Sequence, residues 1–245
     1  MGVMGGAPMK RWLIIGVIGL AVVWIAGMSS LGMVAHTARA QSIHTKIIIN
    51  VLKRRLYLYR NNHLFQVYPV AVGKPSTPSP RGEFTIIQKA VWGDGFGTRW
   101  MRISTPWGIY GIHGTDKPWS VGTVASHGCF RMYNRDVEQV YTLVKVGTSV
   151  IVEGITPYTR IRRPLKPGTI GQDVVELQRL LRLAKVYRGS LSGVYNSDVE
   201  AAVKKFQEMV GVSPTGSASL ETTKKLLEYT HQTAEKPGYL TRAGS

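Results

Sequence analysis

Ser126-His127-Gly128-Cys129-Phe130-Arg131 contains the only cysteine in a chain of 245 residues. A thiol attacks a carbonyl carbon as thiolate, and its unperturbed pKa of about 8.5 leaves most of it protonated at neutral pH. A nearby imidazole can take that proton. His127 stands two positions before Cys129, and in an extended segment such residues share a face. His113 lies upstream in Gly111-Ile112-His113-Gly114-Thr115, at the end of the apolar run Ile109 to Ile112. Spacing alone leaves both histidines open as the base. Gly128 permits a tight backbone path, and the amides of Gly128 and Cys129 are candidate donors to an oxyanion. Arg131 adds positive charge that favours thiolate and can hold a substrate carboxylate through two bonds. Two blander readings compete: a lone cysteine serving as a small buried apolar residue, and a metal held by His113, His127 and Cys129. Only Asp116 offers itself as a fourth metal ligand, and nothing in its spacing compels it.

Working outward, one cysteine excludes an intramolecular disulfide and a cysteine-rich structural zinc site. The formal net charge is +17. Only three of the 31 cations and no acid precede residue 41, so the excess belongs to the rest of the chain. Such a surface seeks polyanions. The cations are scattered and no nucleic-acid motif accompanies them, so nucleic acid is not the expected partner. Trp12 to Ala35 carries no charge and is long enough to span a bilayer. Lys10-Arg11 before it orients the remainder outward. Ala38-Arg39-Ala40 resembles a cleavage site. Residues 1–40 are therefore expected to be a signal peptide or an uncleaved membrane anchor, an apolar helix in either case, and the protein to be exported to the cell envelope.

Residues 45–90 read as β-structure, with a hairpin turning at Arg60-Asn61-Asn62-His63. Lys74 to Pro80, with three prolines, must be a loop. Trp92, Trp100, Trp107 and Trp119 fit either the core of a small β domain or the wall of a groove. Asn134 to Val144 has helical period, with Asn134 as the expected N-cap. Residues 155–167 read as a linker. Beyond it three helices are expected: Asp173 to Leu183, one opened by the capping box Ser197-Asp198-Val199-Glu200, and Ser219 to Glu228. The last fifteen residues, 231–245, have no period and are expected to form a flexible tail.

His113-Gly114-Thr115 and, after the twelve positions from Gly114 to Ala125, Ser126-His127-Gly128-Cys129-Phe130-Arg131-Met132 resemble the signature of the L,D-transpeptidase catalytic domain, the YkuD family. Leu56-Tyr57-Leu58-Tyr59 and Arg81-Gly82-Glu83-Phe84 add to the likeness, which covers residues 43–154. The resemblance implies a mainly β catalytic domain, a sandwich or barrel with one or two helices. It also implies Cys129 as nucleophile, His113 as proton acceptor and donor, and His127 in support. Ser126, Gly128, Arg131 and Gly114 are the expected oxyanion and substrate-binding positions, and no metal or cofactor is called for.

Residues 168–230 are similar to the three-helix peptidoglycan-binding domain, through Gly171-Gln172-Asp173-Val174, Leu177-Gln178, Gly193-Val194-Tyr195 and Phe206-Gln207. They depart from its pattern at Ser192-Gly193 and Tyr195-Asn196. Together the two likenesses imply an enzyme that forms 3→3 peptidoglycan cross-links through a cysteine acyl-enzyme on tetrapeptide stems, with release of D-Ala. They also imply that the thiolate is acylated by carbapenems. The alternatives are an L,D-carboxypeptidase using water as acceptor, a non-catalytic wall-binding protein, and a metal-dependent hydrolase.

Overall fold

The computed structural model describes residues 43–154 and 158–235. The expected N-terminal apolar helix and the end of the expected tail lie outside the described residues. Among the described residues no helix is long and apolar enough to cross a membrane.

The first unit is built on strands β1 (Thr45–Asn50), β2 (Arg55–Arg60), β3 (His63–Pro69), β4 (Val72–Gly73), β5 (Gly82–Val91), β6 (Arg99–Ile103), β7 (Tyr110–His113), β8 (Val124–Ser126), β9 (Phe130–Arg131) and β10 (Ser149–Glu153). Eight of them form one mixed sheet in the order β3-β2-β1-β10-β5-β6-β7-β9, and β4 pairs with β8. β1–β10 and β7–β9 are parallel within that sheet. The mainly β domain that was expected is built on this eight-stranded sheet, with β3 and β9 at its ends, and the small β4–β8 sheet beside it. Alternation decides which face is buried: Ile47 and Ile49, Leu56 and Leu58, Phe84 and Ile86, Val150 and Val152 all enter one core. Helix α1 (Asn134–Leu143) adds Val137 and Val140 to it. The hairpin turn falls where expected. Asn61 and Asn62 both take positive φ, 49° and 64°, as a two-residue hairpin whose turn follows the strand twist requires.

The second unit has its own core, with Leu177, Leu181, Val203, Phe206 and Leu226 at its centre. Its helices are α2 (Gln172–Leu183), α3 (Ser197–Met209) and α4 (Leu220–Glu235). Three boundaries differ from expectation. Asn196, not Ser197, caps α3, its side chain accepting from the Val199 amide; asparagine is at least as good a cap as serine. Helix α4 continues to Glu235, so the start of the expected tail is helical. Leu165, within the expected linker, is fully buried in the helical core and bridges to Ala218.

The two units dock through specific bonds. Both terminal guanidinium nitrogens of Arg182 donate to the Glu83 carboxylate, at 2.6 and 2.9 Å. The Glu83 amide donates to the Leu191 carbonyl, and the Leu191 amide to Glu83 Oε2. Gln172 uses its side-chain amide on both backbone groups of Arg81. Gly193 answers a steric demand: a Cβ there would collide with the Trp107 ring. The glycine that the peptidoglycan-binding pattern places in a turn is here also a contact point between units. Arg182→Ala and Glu83→Ala are each expected to cost about 1 kcal/mol. This half-exposed charged pair is worth less than a buried one. A double-mutant cycle on thermal unfolding, with proteolysis across residues 155–165 as a second readout, measures the coupling.

Candidate active site

Parallel pairing of β7 with β9 sets the site. Ile112 stands beside Phe130 and His113 beside Arg131, which brings Gly111 alongside Cys129. The Gly111 amide bonds the Cys129 sulfur. His113, Cys129, Ser126, His127 and Arg131 all line one cavity of about 440 Å³. Trp92, Phe96, Trp100 and Ile109 make its apolar wall. The indoles of Trp92 and Trp100 stack at 5.0 Å, and Phe96 stands edge-on to His113 at 5.1 Å. Of the four tryptophans, Trp92 and Trp100 thus belong to the groove. Trp107 packs on Phe84, and Trp119 is 74% exposed.

His113 is buried, with Nδ1 against the carbonyl of Gly114. A carbonyl accepts only, so Nδ1 carries the hydrogen and Nε2 keeps its lone pair. Burial lowers the His113 pKa to about 4, against the raising effect of the Gly114 and Phe96 carbonyls and with the Arg131 charge lowering it further. Burial likewise pushes the Cys129 thiol up, opposed by the Gly111 amide and by Arg131. At neutral pH the resting pair is therefore thiol and neutral imidazole, an arrangement for general-base delivery of the thiolate at the moment of attack. His127 lines the same cavity but is exposed.

The other expected site residues hold the loop together. Ser126 Oγ donates to the Cys129 carbonyl at 2.6 Å and accepts from the Gly128 amide at 3.0 Å. Gly128 has φ +116°, and a Cβ there would lie 2.5 Å from the Tyr110 ring. The Gly114 amide donates to the Arg99 carbonyl. Ser126 thus serves as the brace of the nucleophile turn, and Gly114 as the carbonyl that fixes the imidazole. Asn134 was expected to cap α1, but the cap position is Tyr133. Asn134 Oδ1 instead accepts from the amides of Thr98 and Thr115. It thereby ties the end of the aromatic loop to the turn after His113. Nothing linear in the sequence marks that role. Among the described residues no group of three or more His, Cys, Asp or Glu side chains is placed to hold a metal ion.

The L,D-transpeptidase catalytic-domain profile matches residues 44–152, and that of a peptidoglycan binding domain matches residues 170–226. YkuD of Bacillus licheniformis, assigned by name to the L,D-transpeptidases, is 43% identical over 117 residues, 47% of this chain and 68% of that protein. The chain belongs to the YkuD family of L,D-transpeptidases. YkuD of Bacillus subtilis is 41% identical over 107 residues, 43% of this chain and 64% of that protein. An L,D-transpeptidase structure from Mycobacterium smegmatis aligns with a TM-score of 0.40 at 21% identity, covering 45% of this chain and 59% of that one. The YkuD-family relatives are thus matched over about two thirds of their own length.

The titration order in this YkuD-family site gives a prediction. A base with a pKa of about 4 stays unprotonated above pH 5, and a thiol raised by burial stays protonated through pH 8. The acylation rate is expected to be flat between about pH 5 and 8 and to fall below that range, with no acid limb near 6.5, the ordinary imidazole value. Stopped-flow acylation by a carbapenem across pH 3.5–9 measures it. A limb at 6.5 would assign the base to an unshifted histidine.

Proposed function

We propose that this protein is an exported cysteine L,D-transpeptidase that forms 3→3 cross-links in peptidoglycan. The observation that carries the reading is a single cavity lined both by Cys129 and by an imidazole whose Nδ1 is committed to the Gly114 carbonyl. In the proposed reaction Cys129 passes its proton to His113 Nε2 as the sulfur attacks the carbonyl carbon between the L-centre of the third stem residue, a diamino acid, and the terminal D-Ala. The tetrahedral oxyanion forms at the nucleophile turn, where the Cys129 amide is the donor, because the Gly128 amide is held by Ser126. The C–N bond breaks, His113 returns the proton to the leaving D-Ala amine, and a thioester remains. The side-chain amine of a second stem then attacks the thioester, forming the cross-link and restoring the thiol. Water in place of that amine gives the L,D-carboxypeptidase outcome.

Arg131, at the cavity wall, is assigned to the substrate carboxylate, and His127 to support of the thiol. No step calls for a metal or cofactor. The basic charge and the matched peptidoglycan binding domain support the sacculus as partner. Residues 12–40 support export to the cell envelope, with attachment to the membrane wherever the segment is retained. Incubation with a disaccharide-tetrapeptide, followed by mass spectrometry, is expected to yield a dimer that has lost one D-Ala. Unchanged substrate with the native enzyme under varied acceptors would overturn the reading.

A further inference from the structure

Asn134 opens α1, and that helix buries Val137 and Val140 in the core, so its first residue stands on a rigid support. Its Oδ1 accepts from the Thr115 amide at 3.0 Å and from the Thr98 amide at 3.3 Å. Both partners are N–H donors, so only the oxygen of the side-chain amide fits there. A Cβ on Gly97 or on Gly114 would collide with the same oxygen. Two loops thus close on one atom more tightly than a side chain at either glycine would allow.

The Thr115 amide belongs to the peptide unit whose carbonyl is that of Gly114. A trans peptide is planar, with its C=O and N–H pointing in opposite directions. One end of this unit therefore holds His113 Nδ1, and the other end is held by Asn134. The unit before it is fixed by backbone alone: the His113 carbonyl accepts from the Met132 amide, and the Gly114 amide donates to the Arg99 carbonyl. Gly114 has no Cβ, so the second unit is free to turn wherever its N–H is released. The other amide on Asn134, from Thr98, fixes the end of the loop whose Phe96 ring stands against His113.

We propose that Asn134 is a positioning residue for the catalytic base. By pinning the Gly114–Thr115 peptide it keeps the Gly114 carbonyl on Nδ1, and thereby the imidazole lone pair on Nε2. This role rests on the reading of His113 as the base of a transpeptidase. It extends that reading to a residue on α1 that acts on the imidazole through a backbone peptide.

Two readouts on the full chain test it. Stopped-flow acylation by a carbapenem gives the rate. Heteronuclear NMR of histidine-labelled protein, with His113 assigned by the signal lost in His113→Gln, reports which ring nitrogen carries the hydrogen. Asn134→Ala is expected to slow acylation about 10–100-fold, the usual effect of removing a partner that orients a histidine, and to turn the single Nδ1–H tautomer into a mixture. Asn134→Ser, whose hydroxyl is too short to reach both amides but leaves room for water, is a milder form of the same loss and is read in the same way. Asn134→Asp keeps an acceptor in place and is expected to restore the tautomer and most of the rate. Val150→Ala opens a cavity in the sheet core. It is expected to lower the melting temperature while tautomer and rate stay as they are. A pure Nδ1–H tautomer in both Asn134→Ala and Asn134→Ser, or a mixture in Val150→Ala as well, would overturn the positioning role and leave the transpeptidase reading standing. A native protein that takes up no carbapenem sinks the transpeptidase reading, and the tautomer of His113 in the variants still decides what Asn134 does.

Discussion

Cys129→Ala is expected to abolish both the carbapenem adduct and the cross-linked dimer, a loss on the order of 10⁶-fold in kcat. The reaction has no other nucleophile to fall back on: Cys129 is the only thiol in the chain, and Ser126, the hydroxyl closest to it in sequence, spends its oxygen on the Cys129 carbonyl and the Gly128 amide. Cys129→Ser is expected to fare almost as badly. An imidazole with a pKa of about 4 is a weak base, able to assist a thiol but poorly matched to an alcohol of much higher pKa. Neither variant should disturb the fold, because the turn is held by Ser126, by the positive φ of Gly128 and by the β7–β9 pairing. Intact-protein mass spectrometry after carbapenem exposure, beside far-UV circular dichroism, reads both expectations. An adduct on the alanine variant would move the nucleophile elsewhere.

His113 and Cys129 were legible because the chemistry is concentrated in short segments whose residue types and separation are specific. The strands were legible because Ile47/Ile49 and Leu56/Leu58 alternate, and the sheet buries that face. What stayed hidden depends on residues far apart in sequence. Arg81-Gly82-Glu83 reads as the entry to a strand, yet Glu83 meets Arg182, 99 positions later, and fixes the helical unit against the sheet. Asn134 carries a sound local signal for a cap. The amides of Thr98 and Thr115 outcompete it, because the loops that flank the cavity bring them to its side chain. Gly97 and Gly114 bear the same mark: a Cβ on either would strike Asn134 Oδ1. Ser126 lines the cavity with the rest of its motif, but its hydroxyl is turned inward on the loop. Sequence proximity also favoured His127. The family resemblance pointed to His113 instead, and in the structure burial and the Gly114 carbonyl separate the two.

That separation carries the second large effect. His113→Gln is expected to lower the acylation rate 10²–10⁴-fold, the ordinary worth of a positioned general base, whereas His127→Ala should lower it far less. Glutamine can still donate to the Gly114 carbonyl and fill part of the space beside Phe96 and Trp100, so the cavity wall is retained while the basic nitrogen is lost. The pH profile distinguishes a lost base from a merely disturbed pocket. With His113 present, the rate is flat because the imidazole makes the thiolate as it is needed. Without it, only thiolate already formed by solvent can react. The Cys129 thiol is pushed above its ordinary value by burial, so the residual rate should climb about tenfold per pH unit from pH 6 until the thiol itself titrates. A disturbed pocket with its base intact would lower the rate at every pH and keep the plateau. A plateau in His113→Gln together with a tenfold-per-unit climb in His127→Ala would transfer the base to His127, and the buried imidazole would then be a support for the β7–β9 turn.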